Sequence, residues 1–435
     1  MKEPSDVTAL IVDNDRALFL PLAVYLGQIG AFKRVLYHCG PDGSFPTIGE
    51  CSVGKGFEGV ERCDSPLSAK SEVDLLICPD INTSDIQKDF ENSGIAVWGS
   101  GYGDELENRR ILFHETLDKI GLLTPPYHVC KGLQQLVEYL KDKKDVFLKI
   151  SRYRGSWETR KFRNMDLDSS VLHIFAQRFG PMADKVRVVV CDKIETDLEL
   201  GADAYNVSGA WPDYMLNGWE LKDRAYLSSI TRREDMPKQI IDITEAVAPL
   251  LAKYNYRNFI SFEDRVAGDK HYWIDATQRF SIPASPSQCR AWKNLPLILW
   301  HGAHGELVQP ESSCKFTAEC LMTMKSEPHY WSQTEFDGET MKHAAMPHCC
   351  IVDGFVSFPP GEPKDGSDIG WLCATGDTIE EVVDTMKGLA DNLPDGVDAD
   401  TDSLVDLLSE VSKAEDEGIE FSEQNIPAPE TALNV

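Results

Sequence analysis

The sequence predicts an α/β protein in which an open, mostly parallel sheet is followed by a region that mixes helices with antiparallel strands. Near the N-terminus, short apolar runs alternate with stretches of helical periodicity, which is typical of successive strand–helix–strand units. Farther along, two apolar runs that each end on a carboxylate are separated by a Gly- and Asp-containing turn, which indicates a hairpin. The 435 residues are enough for two or three domains.

An α/β domain is predicted over residues 1–103. Its strands are expected at 7–12, 35–37, 73–79 and 95–98, and its helices at 17–29 and around 86–91. The glycines at 99, 101 and 103 then interrupt the pattern. A linker explains them better than a dinucleotide fingerprint, because the third glycine of that fingerprint would stand elsewhere.

A second domain is predicted over residues 104–312. It should open with one helix from 104 to about 120, ended by Gly121, and continue with a helix over 133–140 and a strand that carries Lys149. Later strands are expected at 185–191 and 198–207, a helix at 245–254, and a hairpin formed by 259–263 and 271–275.

An accessory lobe over 313–400 and an acidic helix with a solvated tail over 401–435 are predicted to complete the chain. Thr378 and Glu381 form a capping box at the start of one helix. From residue 391 onward, thirteen Asp and Glu residues stand against Lys413 alone, so this segment supplies −12 of the total charge of −28.

Composition argues against several classes of protein. The charge of −28 disfavours nucleic acid and anionic membranes as partners, because binding phosphates takes clustered Lys and Arg. Twelve cysteines without a CxxC pair are typical of reduced thiols. The N-terminus lacks the order of a signal peptide, and no long uncharged apolar run is present. We therefore expect a soluble, cytoplasmic protein; its oligomeric state is left open, with a homodimer as one option.

Lys149 is the most informative residue, because it lies in the apolar run 146–150. A buried ammonium group needs an anionic partner. The segment 152–159 that follows contains two arginines, a glycine and hydroxyl side chains, which could cradle phosphate oxygens. The alternative is a strand end whose lysine is solvated.

Four features of the middle region follow one another in a fixed order. They are the basic helix start Arg109-Arg110, the strand Val146-Phe-Leu-Lys149, the acidic pair Asp192 and Glu199, and the carboxylate pair Glu263 and Asp275. In this order they resemble the ATP-grasp superfamily, and the flanking lobes resemble phosphoribosylamine-glycine ligase and related carboxylate-amine ligases. The resemblance covers about residues 7–393. It implies a Rossmann-like pre-ATP-grasp domain, a two-lobed α+β ATP-grasp domain and a small C-terminal lobe.

The resemblance also implies roles for individual residues in nucleotide binding. Phosphates would be held by Lys149 and Arg109, with Arg154 and Ser156 from the following loop. Asp192 would lie beside the adenine, and Glu199 would hold the ribose hydroxyls, a role that Glu195 could share, because a carboxylate accepts two hydrogen bonds. The apolar walls around the adenine are expected from Ile150, Val190 and Phe262.

A metal site is the last implied feature. Glu263 and Asp275 would face each other across the hairpin and hold Mg²⁺, with Thr277 as a further ligand and Arg279 beside the transferred phosphoryl group. The resembled family has Glu at the position of Asp275 and Asn at the position of Thr277. A hydroxyl is a weaker ligand, so the second of the two usual metal sites is the less well supported.

The resemblance implies an ATP- and Mg²⁺-dependent ligase that joins a carboxylate to an amine through an acyl phosphate. Lys149 and Arg279 would be its catalytic residues, and 222–224 would be substrate or lid residues. Two alternatives stay open. One is a non-catalytic nucleotide-binding or scaffold protein with the same fold, which Thr277 and the single glycine in the 152–159 loop favour. The other is an ATP-dependent phosphotransferase, which the same fold can support.

Overall fold

The structure is a computed structural model that describes residues 1–14, 17–40, 52–151, 159–196, 198–325, 330–360, 367–416, 418–419 and 421. Of the twelve cysteines, the eleven in these ranges are free thiols. None of the helices in these ranges is long and apolar enough to cross a membrane.

The N-terminal part is a parallel sheet with the strand order β3-β2-β1-β4-β5. Its strands are β1 (Thr8–Asp13), β2 (Arg34–Cys39), β3 (Val60–Arg62), β4 (Leu75–Ile77) and β5 (Ala96–Trp98), and its helices are α1 (Leu20–Gln28), α2 (Pro66–Ala69) and α3 (Ser84–Glu91). Every residue of β1 is buried, because the central strand of a parallel sheet is covered on both faces. The predicted parallel α/β sheet is confirmed, and β3 and α2 are additional to it.

Two helices replace the continuous helix predicted from residue 104. They are α4 (Glu105–Asn108) and α5 (Arg110–Ile120), and the break falls at Arg109, whose φ of −119° and ψ of 80° are not helical. Gly121 ends α5 as predicted, with a left-handed φ of 82° that glycine adopts without a steric cost. The break matters for function because it sends the side chains of Arg109 and Arg110 to different places.

A small lobe follows, consisting of an antiparallel sheet in the order β6-β9-β7-β8 and two helices. Its elements are β6 (Tyr127–Lys131), α6 (Leu133–Leu140), β7 (Val146–Ile150), β8 (Thr159–Phe162), α7 (Met165–Phe179) and β9 (Arg187–Asp192). The lobe has its own hydrophobic core, in which Ile150 and Val190 pack with Leu136 and Phe175. Lys149 therefore lies on the opposite face of β7, away from this core.

The large sheet begins with five antiparallel strands in the order β14-β13-β10-β11-β12. These are β10 (Glu199–Val207), β11 (Tyr214–Leu221), β12 (Ala225–Arg232), β13 (Arg257–Ala267) and β14 (Lys270–Thr277), accompanied by α8 (Lys238–Lys253), α9 (Ser285–Ala291) and α10 (Leu295–Ala303). The predicted hairpin is β13–β14. It contains a bulge, because Glu263 pairs with Asp275 but Asp264 pairs with Trp273, so that Ile274 is the extra residue.

The C-terminal part continues the same large sheet. Its elements are β15 (Phe316–Met324), β16 (Ser332–Thr334), α11 (Thr340–His343), β17 (Ala344–Ala345), β18 (Cys350–Val352), β19 (Phe355–Phe358), β20 (Ser367–Gly376), α12 (Ile379–Ala390), β21 (Val397–Ala399) and α13 (Thr401–Asp416). β15 pairs with β12, and β20 pairs with β15, while β16, β19 and β18 form a separate small sheet. Backbone hydrogen bonds between β12 and β15 therefore join the lobe predicted from residue 313 to the preceding domain. Its capping box forms as predicted, with the Glu381 N–H donating to the Thr378 hydroxyl at 3.1 Å.

Glu319 of β15 is a fully buried carboxyl group below the start of α9. Its Oε1 accepts the backbone N–H of Ser287 at 2.7 Å, and burial raises the pKa of Glu319 to about 7. In the folded protein the carboxyl group therefore stays protonated to a higher pH than in the unfolded chain. Its stabilising contribution is complete below the unfolded-state pKa of about 4.5 and is lost as the pH rises through about 7.

We expect Glu319→Gln to gain stability relative to the wild type by about 3 kcal/mol between about pH 5 and about pH 8. The amide cannot ionise, so the variant escapes the cost of a buried carboxylate at high pH. Denaturation of both proteins across this range measures the difference. A difference that stays constant with pH would contradict the expectation.

Candidate functional site

Lys149 reaches from the small lobe to the large sheet. Its Nζ donates to the carbonyl of Ile274 at 2.7 Å and lies 3.9 Å from Oδ2 of Asp275. Ile274 is the extra residue of the bulge in β14, and bulges commonly redirect the backbone next to a functional site. The predicted burial of Lys149 is confirmed, since 7% of the residue is exposed. Its anionic partner in this structure is Asp275.

Arg110 is the second cation at Asp275. Its Nη1 donates to Oδ1 of Asp275, and the residue is 1% exposed at the start of α5. Arg109 lies elsewhere. It pairs with Glu105 at 3.0 Å on the surface and lines an open cavity of about 450 Å³ together with Arg187. The structure therefore brings Arg110, and not the predicted Arg109, to Lys149 and Asp275.

The two cations fix the charge of Asp275. Burial alone would raise the pKa of this carboxyl group, but the charges of Arg110 and Lys149 outweigh burial and hold the pKa well below its usual range. Asp275 is therefore ionised at neutral pH. The arrangement is a carboxylate with one cation at each oxygen.

A second charge cluster lies beside Asp275 on the same face of the large sheet. Glu263 is directly opposite Asp275 in the register of β13 and β14, and its Oε1 is 3.5 Å from Nζ of Lys222. Lys222, in the turn between β11 and β12, also lies 3.9 Å from Glu220. The negative charge of Glu263 raises the pKa of Lys222, and burial raises the pKa of Glu220 to about 7. The Lys222 ammonium thus faces two acidic groups.

The residues predicted for adenosine binding lie at the end of β9, at the start of β10 and in the segment that joins them. Glu199 forms an ion pair with Arg265, and burial followed by the charge of Glu263 raises the pKa of Glu199. It therefore lies with the cluster, as expected. Asp192 lies outside this cluster. Its carboxylate is 3.4 Å from Lys143, and its position in β9 places it on the face opposite Lys149. Glu195 is exposed and pairs with Lys193 at 2.8 Å.

The three residues predicted as apolar walls around the adenine face away from Lys149 and Glu263 in this structure. Ile150 and Val190 belong to the core of the small lobe. Phe262 packs against Trp211 and Trp273, with ring centroids 5.8 and 5.5 Å away, on the face opposite Glu263. Strand alternation instead places Phe147, Val189 and Cys191 on the face of Lys149.

Arg279 lies just beyond β14 and is held by a carboxylate that the sequence did not point to. Its Nε donates to Oε1 of Glu107 at 2.9 Å, and the other oxygen of Glu107 accepts the backbone N–H of Gln278 at 2.7 Å. Glu107 is 4% exposed, in α4. One buried side chain therefore fixes both the guanidinium and the backbone before it. No pattern of residue types around Glu107 distinguished it from a surface helix position.

Arg154 and Ser156 lie outside the described residues. Thr277 is at the end of β14, opposite Ser261 and two residues from Asp275, so its side chain is on the same face as the carboxylates. Among the residues that the structure describes, no three His, Cys, Asp or Glu side chains cluster closely enough to hold a metal by themselves.

No protein-family model matches the sequence, and no curated protein matches it. Solved structures do match. Phosphoribosylamine-glycine ligase from Thermotoga maritima is similar with a TM-score of 0.66 at 14% identity, over 90% of this chain and 99% of that one. A biotin carboxylase–beta-gamma-ATP complex from Campylobacter jejuni has a TM-score of 0.66 at 13% identity, over 97% and 98%.

A third match is the biotin carboxylase domain of 2-oxoglutarate carboxylase from Hydrogenobacter thermophilus, in complex with MgADP, ADP and bicarbonate. Its TM-score is 0.61 at 13% identity, over 95% of this chain and 96% of that one. The protein has the ATP-grasp fold. The resemblance and the fold class expected from the sequence are thereby confirmed. At these identities the matches establish the ATP-grasp fold and leave the chemistry to be argued from the residues.

The carboxylates of this ATP-grasp fold suit a hard divalent cation. Glu263 and Asp275 are neighbours on adjacent strands, and Thr277 shares their face. Mg²⁺ is usually bound by one or two carboxylates and completes its shell with water and phosphate oxygens, so the lack of a third acidic ligand in the described chain is compatible with it.

Proposed function

We propose that this protein is an ATP-dependent ligase that joins a carboxylate to an amine and releases ADP and phosphate. The supporting observation is that Arg110 and Lys149, from two separate segments, converge on Asp275 of a third. A site with two buried cations beside a carboxylate pair can hold polyphosphate and a divalent ion together. The nucleotide complexes among the similar structures also support ATP as the co-substrate.

In the proposed reaction, an oxygen of the acid substrate attacks the γ-phosphorus of ATP, and ADP leaves. The nitrogen of the amine then attacks the acyl carbon, loses a proton, and displaces phosphate. Arg110 and Lys149 would hold the phosphates, and Arg279 would lie beside the acyl phosphate and stabilise its charge. Bound Mg²⁺, held by Glu263 and Asp275 with Thr277 nearby, would neutralise phosphate charge.

The proposal is tested by incubating the purified protein with MgATP and a matrix of carboxylic acids and amines. ADP, phosphate and amide product are measured together. ATP-dependent amide formation is the expected result. A protein that binds no nucleotide contradicts the proposal outright.

A non-catalytic nucleotide-binding role is the second candidate, and Thr277 beside Asp275 favours it because a hydroxyl is a weak metal ligand. Nucleotide binding without turnover in the same matrix would support this role. Phosphate transfer to an acceptor that is not a carboxylate would instead indicate a phosphotransferase.

If the protein is a ligase, Glu107→Gln is expected to lower kcat by about 10- to 100-fold while the affinity for nucleotide changes little. The amide keeps an acceptor oxygen but loses the charge that pairs with Arg279. Steady-state kinetics and nucleotide titration measure the two effects separately. Partial rescue by Glu107→Asp would show that the carboxylate positions Arg279, whereas equal losses of kcat and nucleotide affinity would contradict this role.

A further inference from the structure

Two sets of positively charged partners would compete for the two oxygens of Asp275. In this structure Oδ1 accepts from Arg110, and Oδ2 faces Lys149 at 3.9 Å. Under the proposed function, on which this inference rests, the same oxygens bind a divalent cation and the same two cations bind phosphates.

We propose that Asp275 is a positioning residue that holds Arg110 and Lys149 before ligands bind and releases them only when nucleotide and a divalent cation bind together. Before nucleotide binds, the carboxylate oxygens lie beside the two cations, in the positions that phosphate oxygens take afterwards. This role is separate from its role as a metal ligand.

Burial is the reason that such a counterion is needed. The side chains of Arg110 and Lys149 are 2% and 9% exposed, and a buried cation without an anion is strongly destabilising. Asp275 supplies the anion from a neighbouring strand with its side chain 23% exposed. Before ligands bind, two cations sharing one carboxylate leave one net positive charge, and both cations stay beside the position proposed for the phosphates.

The exchange of partners couples the two ligands. Nucleotide that arrives without a divalent cation must compete with Asp275 for Arg110 and Lys149. A divalent cation that arrives without nucleotide must take Asp275 away from two buried cations. When both bind, the carboxylate pairs with the metal and the cations pair with phosphates, so every charge stays matched. By linkage, each ligand must raise the affinity for the other by the same factor.

The matched variants for the test are Asp275→Asn and Glu263→Gln. Both remove one negative charge from the same pair of strands, but the ion pair of Glu263 is with Lys222, and the charge of Glu263 acts on Arg110 less than that of Asp275 does. ATP binding is measured by calorimetry for the wild type and both variants, with Mg²⁺ and with EDTA. We expect Asp275→Asn to bind metal-free ATP about tenfold more tightly than the wild type and MgATP about tenfold more weakly. Glu263→Gln should lose MgATP affinity without the gain for metal-free ATP.

An equal gain for metal-free ATP in both variants would overturn the inference, because net charge alone would then explain it. Thermal unfolding checks that each variant is folded. If Asp275→Asn does not fold, the wild-type protein provides the test. Mg²⁺ alone, at concentrations that saturate the ATP complex, should leave the melting temperature of the wild type unchanged. A shift with Mg²⁺ alone overturns the inference. Absence of ATP binding by the wild type would contradict the proposed function instead.

Discussion

Replacing Arg110 with alanine is expected to lower the free energy of unfolding by about 3–5 kcal/mol, whereas replacing its neighbour Arg109 should change it by less than about 0.5 kcal/mol. Arg110 is buried and paired with Asp275, so its removal leaves a half-buried carboxylate with Lys149 alone. Arg109 is 48% exposed and pairs with Glu105 one turn away, a contact that solvent screens. Chemical denaturation of the two variants measures the difference.

The two arginines also provide matched controls for nucleotide binding. They have the same charge and are adjacent in sequence, so any general electrostatic effect on ATP is nearly the same for both. Only the Arg110 variant should lose affinity in a titration, measured at a temperature at which it is folded. Similar losses of stability in both variants would show that the position of the buried arginine is misassigned.

Lys149→Ala is expected to lower the affinity for ATP by at least about 100-fold while the protein remains folded. A buried ammonium makes strong charge-assisted hydrogen bonds to phosphate. Its loss in the empty protein is tolerable because Asp275 keeps Arg110 as a partner. Equilibrium titration with MgATP measures the affinity, and circular dichroism measures the fold.

Lys131→Ala is the control for this experiment. Lys131 is an exposed residue of the same lobe, in β6, so its removal changes net charge without changing the site. Full ATP affinity in the Lys149 variant would mean that the lysine does not bind phosphate. A loss of affinity that both variants share would point to overall charge.

The sequence predicted those parts of the fold that local patterns determine. The parallel strands of the first sheet, the helix over 133–140 and the buried Lys149 each follow from apolar runs or helical spacing. β11 and β12 were missed because they bury polar residues, such as Asn217 and Ser228, and so lack an apolar run. The pairing of β12 with β15 was missed for another reason, since its partners are distant in sequence.

The sequence predicted which residues meet in the candidate site more accurately than which way each side chain points. Lys149, Glu263, Asp275 and Glu199 come together as expected. The resemblance pointed to Arg109, but the structure brings Arg110 to Asp275, because the helix breaks at Arg109, and composition does not report such a change of backbone angles. Ile150, Val190 and Phe262 lie on the faces opposite Lys149 and Glu263, because a shift of one residue along a strand reverses the face of the sheet.

The pairing of β12 with β15 has a practical consequence for dividing the chain. A protein cut after residue 312 would lose β15 and β20, and all of β12 would become an unprotected edge strand. The exposed strand, Ala225–Arg232, has seven buried residues and one exposed residue in the intact protein. Such an edge is a template for pairing with another copy. The C-terminal part therefore acts as the cover that keeps the sheet of the candidate site from aggregating.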